Sequence, residues 1–206
     1  HKKNTKLIRE SQLQSRAILF NEGTQTYMSN SELTKALKII KTTQLNNKKI
    51  DLIGMDACLM AMVEVAYQIH EYAEYLVGSQ EVEFAYGWNY ATVLGALNSG
   101  TATPELAAKN IVTSFSQFYK NKIPFYTQSA IDLSKMTRLK DALNLFSTKI
   151  LSSKTLSNDN SIKLALKAAR SKCLQFSAAA YIDLHSFLSE FQTHLSFAYS
   201  KKKNKS

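Results

Sequence analysis

Cys58 is the residue whose position along the chain best fits a chemical role. It follows the short apolar segment 50–53 and the acidic turn at Asp56, and a segment with a helical apolar pattern continues to about Tyr75. Open α/β sheets hold their reactive groups in the crevice outside the carboxyl ends of the strands. A helix N-terminus also favours a thiolate, so the sequence predicts a nucleophilic Cys58 with a lowered pKa.

The alternative is that Cys58 is only a small buried side chain, which is the usual role of a lone cysteine. Cys173 gives the comparison, because it lies in the helix-like segment 162–176 and is expected to pack in the core or on a helix surface. The strand, the acidic turn and the helix around Cys58 favour a nucleophile there. Two cysteines of such different character do not indicate a disulfide framework.

The elements around these residues predict one α/β domain over residues 1–200, followed by a basic tail at 201–206. Residues 1–16, 21–30, 80–89 and 157–161 are polar and predict loops or turns, and residues 180–184 fit either a strand or a turn. Apolar segments predict strands at residues 17–20, 50–53, 76–79 and 129–133. Helical periodicity predicts helices at residues 30–40, 59–75, 90–98, 104–120, 135–152, 162–176 and 184–197. Alternating strands and helices are typical of layered α/β folds.

Composition limits the classes of function. The chain has 206 residues, 45% of them hydrophobic, and a net charge of +10 that is concentrated at its two ends. Basic ends are usually solvated, and no basic stripe interleaved with aromatic residues occurs, so we expect no nucleic-acid partner. No apolar segment approaches the roughly 18 residues that a membrane span needs. A basic domain that binds anionic surfaces stays open as an alternative, on charge alone.

The segment Asp51-Leu-Ile-Gly-Met-Asp-Ala-Cys-Leu-Met-Ala-Met-Val-Glu-Val-Ala-Tyr67 resembles the nucleophile signature of clostripain-type cysteine peptidases, of the caspase–gingipain–legumain clan. Weaker likenesses occur in the family's order, at residues 16–20, 33–37, 77–83, 87–88, 130–134 and 181–187. The resemblance implies a caspase-like layered α/β sheet with flanking helices. The strands that precede the family's histidine are missing, so we expect this sheet to be incomplete at the N-terminus.

The resemblance also implies a chemistry. Cys58 would attack a peptide carbonyl and form a thioester, a histidine would move the protons, and backbone N–H groups, including that of Cys58, would bind the oxyanion. The family cleaves after arginine or lysine, and Asp56 matches one acidic position of its specificity pocket; alternatively, Asp56 caps the next helix. The substrate is then a peptide or protein, no cofactor is required, calcium is possible, and the location is secreted or cell-envelope.

The base is the first departure from the family. The family's histidine precedes the nucleophile in a His-Gly context at the end of a strand, and His1 is the only histidine before Cys58. Lys2 follows it where the family has glycine. Three explanations stay open: a missing upstream segment of the same domain, a tag remnant at His1, or a homologue without a base. The last would be an inactive protein that acts as a binding module.

The specificity pocket is the second departure. The family often has an acidic residue just before Gly-Trp, and here Tyr86 precedes Gly87 and Trp88. Tyrosine stacks on a guanidinium but cannot neutralise it. Glu81 and Glu83 are close in sequence and are interpreted as surface loop residues. The sequence therefore predicts Asp56 and Tyr86 as the residues that contact the side chain before the scissile bond (P1).

Overall fold

The computed structural model describes residues 17–21, 26–84, 86–97, 103–152, 160–177 and 180–203. They belong to two compact units, which divide between Thr137 and Arg138. The predicted α/β class is confirmed. The loop predicted at residues 1–16 lies outside the described residues, and the single domain over residues 1–200 stays a prediction.

A hairpin comes first in the described chain. Strand β1 (Ala17–Asn21), which was predicted, pairs antiparallel with strand β2 (Thr26–Ser29), which was not. Residues 21–30 are rich in polar side chains, so their sequence predicts a turn. The pairing with β1 overrides that local preference, as pairing often does in strands.

The sequence predicts that Asn30 or Ser31 caps helix α1 (Asn30–Thr43), but the N-cap lies one residue before Asn30. Ser29 is the N-cap: the Glu32 backbone N–H donates to its Oγ at 3.2 Å, and the Ser29 backbone N–H donates to Glu32 Oε2 at 2.7 Å. This reciprocal pair is a capping box, which satisfies two backbone N–H groups at once. The predicted cap at Asn30 or Ser31 is therefore wrong, because neither residue can form this pair with Glu32.

A three-stranded sheet carries the segment that contains Cys58. Strand β3 (Ile50–Gly54) pairs in parallel with β4 (Ala73–Gly78), and β5 (Ser129–Asp132) pairs with β4 antiparallel, so β4 is central. Parallel strands end at the same edge of a sheet, and a crossover connects them. The loops after β3 and β4 therefore meet at one edge, and Cys58 lies in the first of them.

The connection between β3 and β4 corrects the predicted helix over residues 59–75. Helix α2 covers only Val63–Ile69, and β4 already begins at Ala73. The alanine, leucine and valine residues of β4 continue the apolar spacing of the helix, so the pattern alone does not separate the two elements. Burial separates the strand from the helix. Leu76 and Val77 are both fully buried, and as consecutive residues of a strand they lie on opposite faces of the sheet.

The core of the first unit lies between the sheet and two helices, α3 (Tyr90–Leu97) and α4 (Pro104–Tyr119). Thr103 caps α4 through its side chain, and Pro104 occupies the first turn, where proline needs no N–H partner. The residues of this core are buried and largely apolar: Val77, Trp88, Val93, Ala108, Ile111, Phe115 and Tyr119. Trp88 belongs to this core, so packing fixes its position. The chain at the end of the loop that follows β4 is held in place with it.

The second unit is helical. A 3-10 turn at the end of the first unit (Leu133–Lys135) precedes helix α5 (Met136–Ser152), which continues into the second unit. Helices α6 (Asn160–Lys172) and α7 (Leu184–Lys203) follow. The core of this unit is built from side chains on these helices: Phe146, Ile150, Ile162, Ala165, Ala169 and Phe191. Residues 175 and 182 form an isolated antiparallel bridge between α6 and α7.

Two further predictions fall in the second unit. Cys173 is 4% exposed, so its predicted packing in the core is confirmed. Helix α7 continues to Lys203, so the first half of the predicted basic tail is helical, and residues 204–206 lie outside the described residues. None of the helices in the described ranges combines the length and apolarity that a bilayer span requires.

Candidate active site

The segment between β3 and α2 is a turn held by the neighbouring strand and its loop. Three of its backbone N–H groups donate to carbonyl oxygens in or just after β4: Met55 to Val77 (2.9 Å), Leu59 to Glu81 (3.2 Å) and Ala61 to Ser79 (2.9 Å). Leu59 has a φ of 62°, a left-handed conformation that is rare for leucine. These contacts fix the backbone on both sides of Cys58.

The Cys58 thiol is part-buried against the loop that follows β4. Its Sγ accepts a hydrogen bond from the Glu83 backbone N–H at 3.3 Å. Burial raises the pKa of Cys58; the Glu83 N–H opposes this effect, and the nearby carboxyl groups of Glu83 and Glu81 add to it. Helix α2 begins only at Val63, so the predicted helix N-terminus at Cys58 and the predicted lowering of its pKa are wrong. A thiol of this kind needs a base to remove its proton near neutral pH.

Asp56 is held by donors from the chain after Gly87. The Trp88 backbone N–H donates to its Oδ2 at 2.9 Å, and the Tyr90 hydroxyl donates to the same atom at 2.8 Å. Partial burial alone would raise the pKa of Asp56, but hydrogen bonds from the Glu83 side chain, Trp88 and Tyr90 together lower it. The alternative that Asp56 caps the next helix is wrong, because the N-cap of α2 has no side-chain hydrogen bond.

Gly87 and Trp88 form the turn around this carboxylate. Gly87 has a φ of +60°, and a Cβ atom at this position would lie 2.5 Å from Asp56 Oδ2. The Tyr119 hydroxyl donates to the Gly87 carbonyl oxygen at 2.8 Å, which ties the turn to helix α4. A Cβ atom on Gly54 would lie 2.8 Å from the Trp88 ring, which is too close for the two to fit. Glycine is therefore required at both positions for this turn to close on Asp56.

Glu83 is the residue of this site that the sequence does not reveal. Burial, followed by the effect of the adjacent Asp56 carboxyl group, raises the pKa of Glu83 to about 9. With its amide oriented to satisfy both partners, Gln128 donates to Glu83 Oε1 at 3.1 Å and accepts from Trp88 Nε1 at 3.2 Å. The interpretation of Glu83 as a surface loop residue is therefore wrong.

The other predicted site residues lie in different settings. Tyr86 is 84% exposed, next to the Gly87 turn, whereas His1 lies outside the described residues. His70 ends helix α2, stacks on Tyr67 with ring centroids 4.7 Å apart and contacts Thr137 through Nε2 at 3.4 Å. The sequence predicts a structural role for His70, because a single helical histidine lacks the second ligand that a metal site needs, and these contacts agree with that role. Cys58, Asp56 and Glu83 are thus brought together by two adjacent loops.

No group of three or more histidine, cysteine, aspartate or glutamate side chains in the described part of the chain has a spacing suited to a metal ion. A calcium site of protein oxygens takes six to eight ligands. The carboxyl pair of Asp56 and Glu83 does not fit, because two side chains are too few ligands for such a site. Calcium therefore has no part in the chemistry proposed below.

The Gly87 turn leads to a direct prediction about stability. Gly87→Ala should lower the free energy of unfolding by about 1–3 kcal/mol, because alanine disfavours a positive φ and its Cβ would displace Asp56. Gly95→Ala is the matched control: Gly95 lies within α3, and a Cβ there meets nothing within 4 Å. It should stabilise by about 0.5–1 kcal/mol. Urea unfolding of both variants checks this, and equal effects would contradict the geometry of the turn.

Solved structures of cysteine proteases have a similar fold. A clostripain from Bacteroides thetaiotaomicron in complex with a peptide inhibitor is 20% identical, with a TM-score of 0.58 over 84% of this chain and 69% of that chain. A cysteine protease from B. fragilis is 18% identical, with a TM-score of 0.52 over 89% of this chain and 75% of that one. A secreted cysteine protease from B. thetaiotaomicron with an irreversible peptide inhibitor is 22% identical, with a TM-score of 0.55 over 85% and 47% of the two chains.

At these identities the structural likeness shows the fold, which is the caspase-like α/β fold of this class of cysteine proteases. A sequence profile of the clostripain family matches residues 5–206. The chain therefore belongs to the clostripain family of cysteine proteases. No curated protein sequence matches the chain.

Proposed function

We propose that the protein is a cysteine endopeptidase that cleaves peptide bonds after lysine or arginine, with Cys58 as the nucleophile. One observation supports this most strongly: Glu83 contacts Cys58 Sγ through its backbone N–H and the Asp56 carboxyl group through its side chain. A reactive thiol and a carboxylate are thereby held in one small site. A cation bound at Asp56 would place the adjacent carbonyl group near the thiol.

The proposed reaction follows from the atoms present. Cys58 Sγ attacks the carbonyl carbon while a base takes the thiol proton, and the same group then protonates the leaving amine. Water hydrolyses the resulting thioester and regenerates the thiol. Backbone N–H groups, including that of Cys58, stabilise the oxyanion. We assign the base to His1, the only histidine in the family's order, which gives a Cys–His dyad.

Specificity in this proposal comes from Asp56 and Tyr86. The lowered pKa of Asp56 keeps it ionised at neutral pH, so it forms a charge-assisted contact with a basic P1 side chain. The exposed ring of Tyr86 is accessible for stacking on a guanidinium. Arginine is planar and stacks better than lysine, so Tyr86 favours arginine at P1.

The location and partners are part of the same proposal. Secreted proteases are among the structures with this fold, and on that basis we place the protein outside the cell or in the cell envelope. The partner is a peptide or protein substrate. A segment upstream of His1, from the same domain, would hold the base in position.

A second function is a binding module without turnover. The raised pKa of Cys58 favours it, because a thiol without a base stays protonated at neutral pH. Such a protein would still bind peptides with a basic residue beside Asp56. The two functions differ in one measurable property, which is the release of product.

Hydrolysis of fluorogenic peptides that differ only at P1 tests the proposed function. We expect cleavage after lysine and arginine, and none after glutamate or alanine, because Asp56 selects a cation. Binding of the lysine peptide without product would favour the binding module. Cleavage after acidic or small apolar residues would contradict the assignment of Asp56.

His1→Ala is the control for the base. If His1 is the base, the variant should lose at least about a hundredfold in kcat, since general-base catalysis contributes on the order of 10²–10⁴. Its alkylation by iodoacetamide, which does not need the substrate site, should still occur at alkaline pH. Unchanged kcat would place the base elsewhere, with His70, His185 and His194 as the remaining histidines.

A further inference from the structure

The carboxyl groups of Asp56 and Glu83 lie within hydrogen-bonding reach of each other beside Cys58. An ionised carboxylate only accepts hydrogen bonds, so a bond between two carboxyl groups requires a proton on one of them. Asp56 accepts two further hydrogen bonds, from the Trp88 N–H and the Tyr90 hydroxyl, and these stabilise its ionised form. The proton therefore resides on Glu83.

Within the described part of the chain, the surroundings of the pair supply no cation for a second negative charge. Among the described residues, no lysine or arginine forms an ion pair with Asp56 or Glu83. Glu83 Oε2 is buried and receives no donor there. The titratable groups that the described loops and helices α3 and α4 bring to the pair carry no positive charge: Cys58, Glu81, Tyr86, Tyr90 and Tyr119. The raised pKa of Glu83 agrees with the lack of a positive charge among these groups.

We propose that Asp56 and Glu83 share one proton in the absence of substrate, and that entry of a lysine or arginine side chain releases it. This rests on the proposed function, in which the P1 side chain enters beside Asp56. The cation supplies the positive charge that the pair lacks, so the O–H bond of Glu83 breaks and its proton passes to the solvent. Both carboxylates then contact the cation.

The coupling makes selectivity depend on pH. At low pH a proton on Glu83 competes with the substrate cation, and at higher pH less work is needed to remove it. The preference for a basic over a neutral P1 side chain therefore rises with pH. Because one proton is released, the rise is at most about tenfold per pH unit, and it ends at the pH where Glu83 is ionised even without substrate. A neutral side chain displaces no proton, so its own binding has no such dependence.

Two inactivators measure this preference without interference from the thiol. Peptidyl acyloxymethyl ketones with lysine or norleucine at P1 alkylate the same sulfur, so the titration of Cys58 cancels in the ratio of their inactivation rate constants. We expect the lysine-to-norleucine ratio to rise at least about tenfold between about pH 6 and about pH 9, a range in which lysine itself stays charged.

Glu83→Gln and Glu81→Gln form the matched pair of variants. Glu83→Gln keeps a hydrogen-bond donor to Asp56 but carries no exchangeable acid proton, so its ratio should be flat with pH. Glu81→Gln removes a carboxyl from the same loop and should keep the rise. A high but flat ratio in the unmodified protein would overturn the coupling and leave basic specificity intact. A ratio near one at every pH would overturn both.

A measurement on the unmodified protein without substrate tests the shared proton by itself. Its result depends neither on the proposed function nor on the fold of Glu83→Gln. Carbon-13 NMR of the side-chain carboxyl groups follows the ionisation of Glu83 directly, with its resonance assigned by its loss in Glu83→Gln. We expect this carboxyl group to titrate above neutral pH, and to titrate lower when a lysine-mimicking amine is bound. Titration near the ordinary glutamate value in the unliganded protein would overturn the shared proton.

Discussion

Cys58→Ala should abolish peptide hydrolysis, with a loss of at least about a thousandfold in kcat, because no other thiol or hydroxyl can replace the attacking sulfur in the same place. The folded state should change little. The side chain is small and part-buried, so we expect a change in the free energy of unfolding within about 1 kcal/mol. Steady-state hydrolysis and thermal unfolding of the same preparation measure the two effects.

Cys173→Ala is the natural control for this variant, because Cys173 is the other cysteine of the chain and is buried in the second unit. It should keep full activity and lose more stability than Cys58→Ala, since it leaves a small cavity in a packed core. The opposite pattern would contradict the assignment of Cys58 as nucleophile. Activity that survives in both variants would exclude cysteine catalysis altogether.

Asp56→Asn should reduce kcat/KM for substrates with lysine or arginine at P1 by about tenfold to a hundredfold, the effect of losing a charge-assisted contact. Asparagine keeps an oxygen that accepts from Trp88 and Tyr90, so the turn should stay folded. The loss should be partial, because Glu83 can ionise once Asp56 is neutral. A norleucine substrate should change by less than about threefold.

Asp51→Asn provides the matched control, because Asp51 is an exposed carboxylate on strand β3, which precedes the turn that contains Asp56. It should leave both substrates unaffected. Equal losses for the lysine and norleucine substrates in Asp56→Asn would show that Asp56 supports the structure and does not select the cation. Side-by-side kcat/KM values for the two substrates decide between these outcomes.

The sequence places Cys58 and Asp56 just after strand β3, as the structure does, because both lie in one short segment with that strand. The strand before them is apolar and ends at a glycine, so its carboxyl end could be located without knowledge of the partner strand. The local conformation after Cys58 could not be predicted. The turn to Val63 depends on hydrogen bonds to the chain around β4, and nothing within the segment itself separates this turn from a first helical turn.

Glu83 was missed for a related reason. Its backbone contacts Cys58 and its side chain contacts Asp56, and both contacts join residues that are far apart in sequence. A carboxyl group in a polar loop is usually solvated, so its sequence context predicts exposure. One signal was available: Glu83 follows β4, and the loops after two parallel strands meet at one edge of the sheet.

The site at which a peptidyl inactivator reacts tests the central claim most directly. The protein is treated with a lysyl acyloxymethyl ketone, and tandem mass spectrometry of its digest locates the adduct. We expect a single adduct on Cys58, formed much more slowly by the glutamyl analogue, because the ketone reacts where the bound lysine side chain places it. An adduct on Cys173, or labelling of Cys58 at equal rates by the lysyl and glutamyl compounds, would contradict a nucleophile beside a cation-selective pocket.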